Sequence, residues 1–328
     1  MNTKNQKRLT DQGFTLVELM VAMAISLVVM GAIFLTFKSQ QDSYIIQAQI
    51  TATQQNLRSA MYMLTRDIQM AGYYTNFDGN QYTMDWDDLD GDNEVIRPLI
   101  YARNNLNVAG DNIKNNTDAI VIVKASSNFR QLAGSESASA STVDATLRNV
   151  DNLVAGKCAL LVKDNLSRAE FFQVQEDTGA MNLIISLTEN YGENDWIYRA
   201  DVIIYYVDNE DDPGDANDND DPAHPKLRRK NLGSNQGAQV VAENIDNLQF
   251  RYLDSSTIPN PTLVDDPSGS EANIRAVEIS LLARTANTNR GYIDPNTYNI
   301  GDNPNPNPSD AYRRKLLCSI VKTRNIGL

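Results

Sequence analysis

The sequence predicts an α+β fold in which a long N-terminal spine helix packs on a β-rich globular domain with long loops. Three observations predict it. From Phe14 to Phe37 the chain holds one charged residue, Glu18. Apolar residues then recur at helical spacing as far as Ala71, and the first proline is Pro98. Beyond Tyr73 the texture changes to short apolar or alternating runs separated by Asn, Asp, Gly and Pro. The chain therefore divides into a polar, basic leader (1–13), the helix (14–72) and the β-rich domain (73–328), large but acceptable as one elaborated domain.

The helix has two halves. As a helix, residues 14–37 extend roughly 36 Å, enough to cross a hydrocarbon core of about 30 Å. Lys4, Lys7 and Arg8 precede this run against one acid, Asp11. That bias keeps the N-terminus in the cytoplasm and places everything after Phe37 outside. A cleaved secretory signal would end at Ala22-Met23-Ala24, but Glu18 interrupts the apolar run before it and the chain stays apolar after it. At the centre of a bilayer a charged Glu18 costs roughly 2.5–3.5 kcal/mol, so this carboxylate calls for a partner. In residues 38–72, Ile46, Ile50, Leu57, Met61, Leu64, Ile68 and Ala71 form one face, with Gln47, Gln49, Gln54, Gln55, Arg58 and Arg66 over much of the rest. The stripe spans too few heptads, and lacks the flanking charges, for a coiled coil. It suits a helix that packs on a sheet.

The domain reads as strands and loops in turn. Ala119–Lys124, Lys157–Lys163, Ala169–Gln175 and Asn182–Leu187 are apolar strand candidates, and Trp196–Val207 is a longer one. Leu248, Phe250 and Tyr252 alternate with polar residues, as do Val277, Ile279 and Leu281, and Lys315–Lys322 closes the chain as a strand. Residues 75–94, 133–146, 209–231 and 285–311 read as loops, the last ending in an Asn-Pro repeat.

Charge and side-chain inventory narrow the function. The net charge is −13, and residues 1–13 carry three basic groups and one acid, so the chain without them stands at −15. Such a surface disfavours nucleic acid and anionic lipid as partners, apart from a local basic patch at Lys226, Arg228, Arg229 and Lys230. The single histidine, His224, has no Ser or Cys motif beside it, and nothing selects a catalytic carboxylate pair. A structural protein is expected, not an enzyme. Cys158 and Cys318, the only cysteines, each sit in an apolar strand candidate. Outside the cytoplasm they can form a bridge, the expectation here, although spacing alone also allows two buried thiols. Asp215, Asn217, Asn219 and Asp221 alternate in the rhythm of a calcium loop, but Asp220 replaces the glycine at the sixth position. Asp88–Glu94 is similarly imperfect. Calcium is the one cofactor the sequence leaves open.

The segment Gly13-Phe-Thr-Leu-Val-Glu-Leu19, preceded by basic residues and leading into the apolar helix, resembles the class III signal of type IV pilins and type II secretion pseudopilins. The resemblance implies cleavage after Gly13 by a prepilin peptidase and N-methylation of Phe14. It also implies that Glu18 meets the N-terminal amine of a neighbouring subunit during assembly. Arg66-Asp-Ile-Gln-Met-Ala-Gly-Tyr73, Asn247-Leu-Gln-Phe-Arg-Tyr252, Arg275–Arg284, Tyr312-Arg-Arg and Thr323-Arg-Asn325 are similar to segments of PilW-type minor pilins, relatives of the J-type pseudopilins. A minor pilin of this type helps to initiate a type IV pilus in a priming or tip complex. Its implied partners are other minor pilins, the major pilin, the prepilin peptidase and the inner-membrane assembly platform. Its implied location is the inner membrane, as a single-pass protein, and then the pilus, from periplasm to cell surface. A J-type pseudopilin of a type II secretion system is the alternative within the family. A calcium-binding tip adhesin is the alternative of another class.

Overall fold

The N-terminal helix forms because its sequence starts it well and nothing stops it for fifteen turns. Thr15 stands just before its first residue, no proline interrupts it, and glycine appears only at Gly31. In the computed structural model helix α1 runs Leu16–Met70, 55 residues, or about 82 Å at 1.5 Å per residue. Residues 13–72, 82–84, 94–96, 100–106, 113–132, 135, 142–143, 157–165, 169–177, 181–183, 190–208, 224–231, 237–256, 261–267, 270, 273–303 and 308–326 are described. The leader 1–12, the proposed calcium positions Asp215, Asn217, Asn219 and Asp221, and residues 88–93 lie outside them.

The chain divides into two units, Met1–Gln49 and Ile50–Leu328. In the first, the apolar side chains from Phe14 to Phe37 are exposed all round the helix. This stretch is long and apolar enough to cross a membrane. Its few hydroxyls are satisfied within the helix: Ser26 donates to the Ala22 carbonyl at 2.7 Å and Thr36 to that of Ala32 at 2.9 Å. Such back-bonding lets a hydroxyl sit in an apolar run without water.

The second unit begins with the rest of α1. Leu57, Ala60, Leu64 and Ile68 are buried there, and each fully buried Leu or Ile contributes about 1.5–3 kcal/mol. The stripe read from the sequence is thus the packing face, with Met61 partly buried and Ile46 and Ile50 at its margin. The helix stops at Gly72, whose φ of 70° is the left-handed conformation that ends helices. The Gly72 N–H then donates to the Val123 carbonyl at 3.0 Å.

Fifteen strands follow among the described residues: β1 (Tyr82–Met84), β2 (Glu94–Ile96), β3 (Ile100–Leu106), β4 (Thr117–Gln131), β5 (Thr142–Val143), β6 (Cys158–Val162), β7 (Ala169–Asp177), β8 (Met181–Leu183), β9 (Trp196–Asp208), β10 (Lys226–Asn231), β11 (Gln239–Glu243), β12 (Ile245–Asp254), β13 (Thr262–Val264), β14 (Ile274–Arg284) and β15 (Arg314–Lys322). β1 and β2 form a hairpin, β13-β12-β14-β15 a four-stranded antiparallel sheet, and the remaining nine one larger sheet. Its central strand is β9, with β4 along one edge and β6 and β10 end to end along the other.

Alternation along these strands makes two cores. Ile120, Ile122, Ile203, Tyr205 and Val207 join the helix face and the apolar residues of β12 and β14. Val121, Val123, Val202, Ile204 and Tyr206 point the other way, with Cys158, Leu160, Val162 and Phe171. Buried on both faces, β4, β6 and β9 read as continuous apolar runs.

Three expectations need correction. The stretch 226–231, taken as part of a loop, is strand β10, and its cations face carboxylates rather than forming a free patch. Residues 182–187 contribute only Leu183 and Asn182 to a described strand, β8. The Cys158–Cys318 bridge is not formed. Cys158 is buried as a thiol inside the larger sheet, and Cys318 is exposed on β15 of the smaller one.

Candidate functional site

At the start of α1, Thr15 and Glu18 bond reciprocally. The Thr15 N–H and hydroxyl donate to Glu18 Oε2 at 2.9 and 3.0 Å, and the Glu18 N–H donates to Thr15 Oγ1 at 3.2 Å. This is a capping box, which satisfies amide donors that the first turn leaves free. Both bonds to the carboxylate fall on Oε2, and the group stays exposed. Phe14 is 90% exposed, and no atom approaches within 4 Å of a Cβ placed on Gly13. The expected processing and assembly residues therefore sit together at an open, well-capped helix start. Sequence reasoning named Gly13, Phe14 and Glu18 as expected processing and assembly residues but passed over Thr15, although Thr-x-x-Glu before an apolar run is a readable signal.

Further along, the helix is fixed to the domain by buried charge. Asp67 Oδ1 accepts Lys124 Nζ at 2.7 Å, while Oδ2 accepts the Tyr205 hydroxyl at 2.7 Å and Arg229 Nε at 2.9 Å. Burial pushes the Asp67 carboxyl up, but Lys124, Tyr205 and Arg229 outweigh it and hold the group below its ordinary range. The donors come from β4, β9 and β10, so one helical carboxylate ties three neighbouring strands. Asn325 completes the joint by donating to the carbonyls of Gln69 and Ala71 at 3.3 Å each.

A second carboxylate, Asp246 on β12, gathers Lys114 Nζ at 2.7 Å, Arg314 Nε at 2.6 Å and Arg284 Nη1 at 3.7 Å. Burial raises it, yet these three cations bring it down to about 2. Arg314 also grips Asp310 through two bonds of 2.6 Å, the bidentate geometry that suits a guanidinium. On α1 the Thr53 hydroxyl donates to the Arg284 carbonyl at 3.3 Å. Segments that carried the PilW-type resemblance therefore meet the helix at two separate levels: Arg284 of β14 at Thr53, and Asn325 at Gln69 and Ala71.

No three His, Cys, Asp or Glu side chains gather at metal-holding distance among the described residues. Burial pushes the Cys158 thiol far up, which keeps it a neutral, unreactive core group.

Residues 204–325 match the family described as type IV pilus-assembly protein W, a span that runs from β9 through Asn325. Residues 8–34 match the prokaryotic N-terminal methylation motif, which spans Gly13, Phe14 and Glu18. None of the curated proteins matches the chain at a significant level. Among solved structures, a type IV-like pilin from Thermus thermophilus is similar at 12% identity and a TM-score of 0.35, covering 84% of this chain and 96% of its own. Two parts of the chain are thus similar to known families: residues 8–34 to the N-terminal methylation motif that opens the helix, and residues 204–325, part of the domain behind it, to the PilW family.

Proposed function

We propose that this protein is a minor pilin, a structural subunit that helps to initiate a type IV pilus in a priming or tip complex with other minor pilins. The observation that carries the reading is the joining of a PilW-family domain to a methylation-type N-terminus on one exposed apolar helix. In the proposed sequence of events the leader is cut after Gly13 and Phe14 is methylated, with the leader on the cytoplasmic side and the domain outside. The helix leaves the inner membrane laterally into a filament, where exposed residues such as Leu16, Leu27 and Phe34 pack against other pilins.

Glu18 has a defined part in this reading. Its Oε2 is held by Thr15 of the same chain, and the exposed carboxylate offers its charge to the amine of a neighbour's Phe14. Two opposite charges in an apolar filament core compensate one another and set axial register. Co-purification of the full chain with the other minor pilins of its cell tests the reading. Retention of the full set and fewer pili in a deletion strain are expected. Normal pilus number in the deletion strain, with no minor pilin retained, refutes it. Mass spectrometry of the mature chain checks the processing step, which predicts an N-methylated Phe14 as first residue.

A further inference from the structure

Away from the helix start and its anchors, a third polar cluster lies where the turn between β3 and β4 meets β12 and loop 301–303. Asp118, 2% exposed, accepts the Asn105 N–H on one oxygen at 2.9 Å and the Phe250 N–H on the other at 2.7 Å. Asp302 accepts the side-chain amides of both Asn104 and Asn105 on one oxygen, each at 2.9 Å. The amides of Gln249 and Asn303 both donate to the Asn116 carbonyl. Gly301, at φ 50°, lies directly on Gln249: a Cβ there would stand 2.9 Å from Gln249 Cβ and 3.2 Å from its Oε1. These contacts close a ring through Asn104, Asn105, Asn116, Asp118, Gln249 and Asp302.

Three oxygens of this ring have no donor. Asn104 Oδ1, Asn105 Oδ1 and Gln249 Oε1 are shut from solvent and accept no hydrogen bond. Gln249 as a whole is 0% exposed, and its Oε1 points at the loop that carries Asp302. A buried acceptor left unsatisfied costs about 1–3 kcal/mol, and folded proteins rarely keep three together. The unpaired atoms are all acceptors.

We propose that this ring binds a hard divalent cation, calcium by its chemistry, through the Asp302 carboxylate and the amide oxygens of Asn104, Asn105 and Gln249. An all-oxygen set without thiolate or imidazole excludes zinc and copper as preferred ions. Amide oxygens from the end of β3 and from β12, with a carboxylate from loop 301–303, suit calcium, which accepts varied oxygen cages, better than the small, strictly octahedral magnesium ion. The set shares no residue with the Asp215–Asp221 loop. The ion joins the end of β3 in the larger sheet to β12 of the smaller, so binding stiffens the junction between the sheets.

The test uses the full chain in detergent micelles, stripped with a chelator and titrated with calcium chloride by calorimetry and thermal melting. Calcium-dependent heat and a rise in Tm are expected. Asp302→Ala removes an exposed side chain, and Asn105→Gly keeps a residue able to hold φ 49°, so both variants fold. Each should weaken calcium binding by about tenfold or more. The pair Asp215→Ala and Asp221→Ala should leave that affinity unchanged. The proposal is overturned by an absence of heat and Tm shift up to millimolar calcium, which assigns the oxygens to ordered water. It is equally overturned by unchanged affinity in both ring variants, or by loss of binding in the Asp215/Asp221 pair. Magnesium binding as tightly as calcium overturns the choice of ion.

Discussion

Replacing Asp67 by asparagine keeps the size of the side chain and removes its charge. In the parent, two cations and one hydroxyl converge on this carboxylate, with distances of 2.7, 2.7 and 2.9 Å. Asparagine has one acceptor oxygen, and its amide group must face either Lys124 or Arg229 as donor against donor. Breaking a buried pair by deleting one partner costs about 3–5 kcal/mol. The side chains of Lys124 and Arg229 keep 16% and 19% exposure, so water recovers part of their solvation and the expected loss is about 3 kcal/mol. Urea unfolding of the full chain in micelles, followed by tryptophan fluorescence and circular dichroism, reads it as a lower midpoint with unchanged slope. Replacing Asp67, Lys124 and Arg229 together by leucine and methionines should recover most of the loss, because no charge is then stranded. A midpoint for Asp67→Asn within about 0.5 kcal/mol of the parent would falsify the claim that this carboxylate anchors the helix, since that is the scatter of ordinary surface substitutions.

Three other outcomes are expected. Asp246 sits at about 2, below an unfolded carboxyl near 3.9, so its stabilising effect is complete above about pH 4 and is lost as pH falls towards 2; about 2–3 kcal/mol should disappear across that window in acid titrations of stability, and Asp246→Asn should flatten the curve there. Glu18→Gln retains a capping box while Glu18→Ala loses it, so equal helix content but reduced co-purification with partner pilins in Glu18→Gln assigns the assembly role to charge; assembly of Glu18→Gln at the parent level removes that role. In the folded protein a maleimide should label Cys318 and spare Cys158 until denaturant is added, and non-reducing peptide maps should show no peptide joining the two.

Legibility in the sequence followed locality. The helix could be read because its stripe and its freedom from proline are properties of consecutive residues. Strands β4, β6 and β9 were readable because burial on both faces makes them continuous apolar runs, and β12 and β14 because one face is polar. Strand β10 was not. Lys226-Leu-Arg-Arg-Lys-Asn231 has the composition of a solvated loop, and only the distant Asp67 and Asp208 make its arginines at home in a sheet. β3 was missed for a related reason: its Arg and Asn residues look like loop until Asp302 and the turn before β4 stand beside them. The expected disulfide failed because spacing cannot tell which sheet a strand will join. At the N-terminus the motif was legible but its Thr15–Glu18 reciprocity was not drawn, so Glu18 has a partner in its own chain as well as the one expected in a neighbour.

The bond from Asn325 to the end of the helix has a meaning in time as well as in space. Asn325 follows Gln69 by 256 residues. At about 5–20 residues per second, synthesis leaves roughly 13–50 s between the two leaving the ribosome. Throughout that interval the carbonyls of Gln69 and Ala71 lack the Asn325 donor, whereas Asp67 can meet Lys124, Tyr205 and Arg229 once β10 is made. The Asn325 contacts are therefore the last of these helix anchors that can form, and a chain cut before residue 325 loses them while keeping the Asp67 anchor.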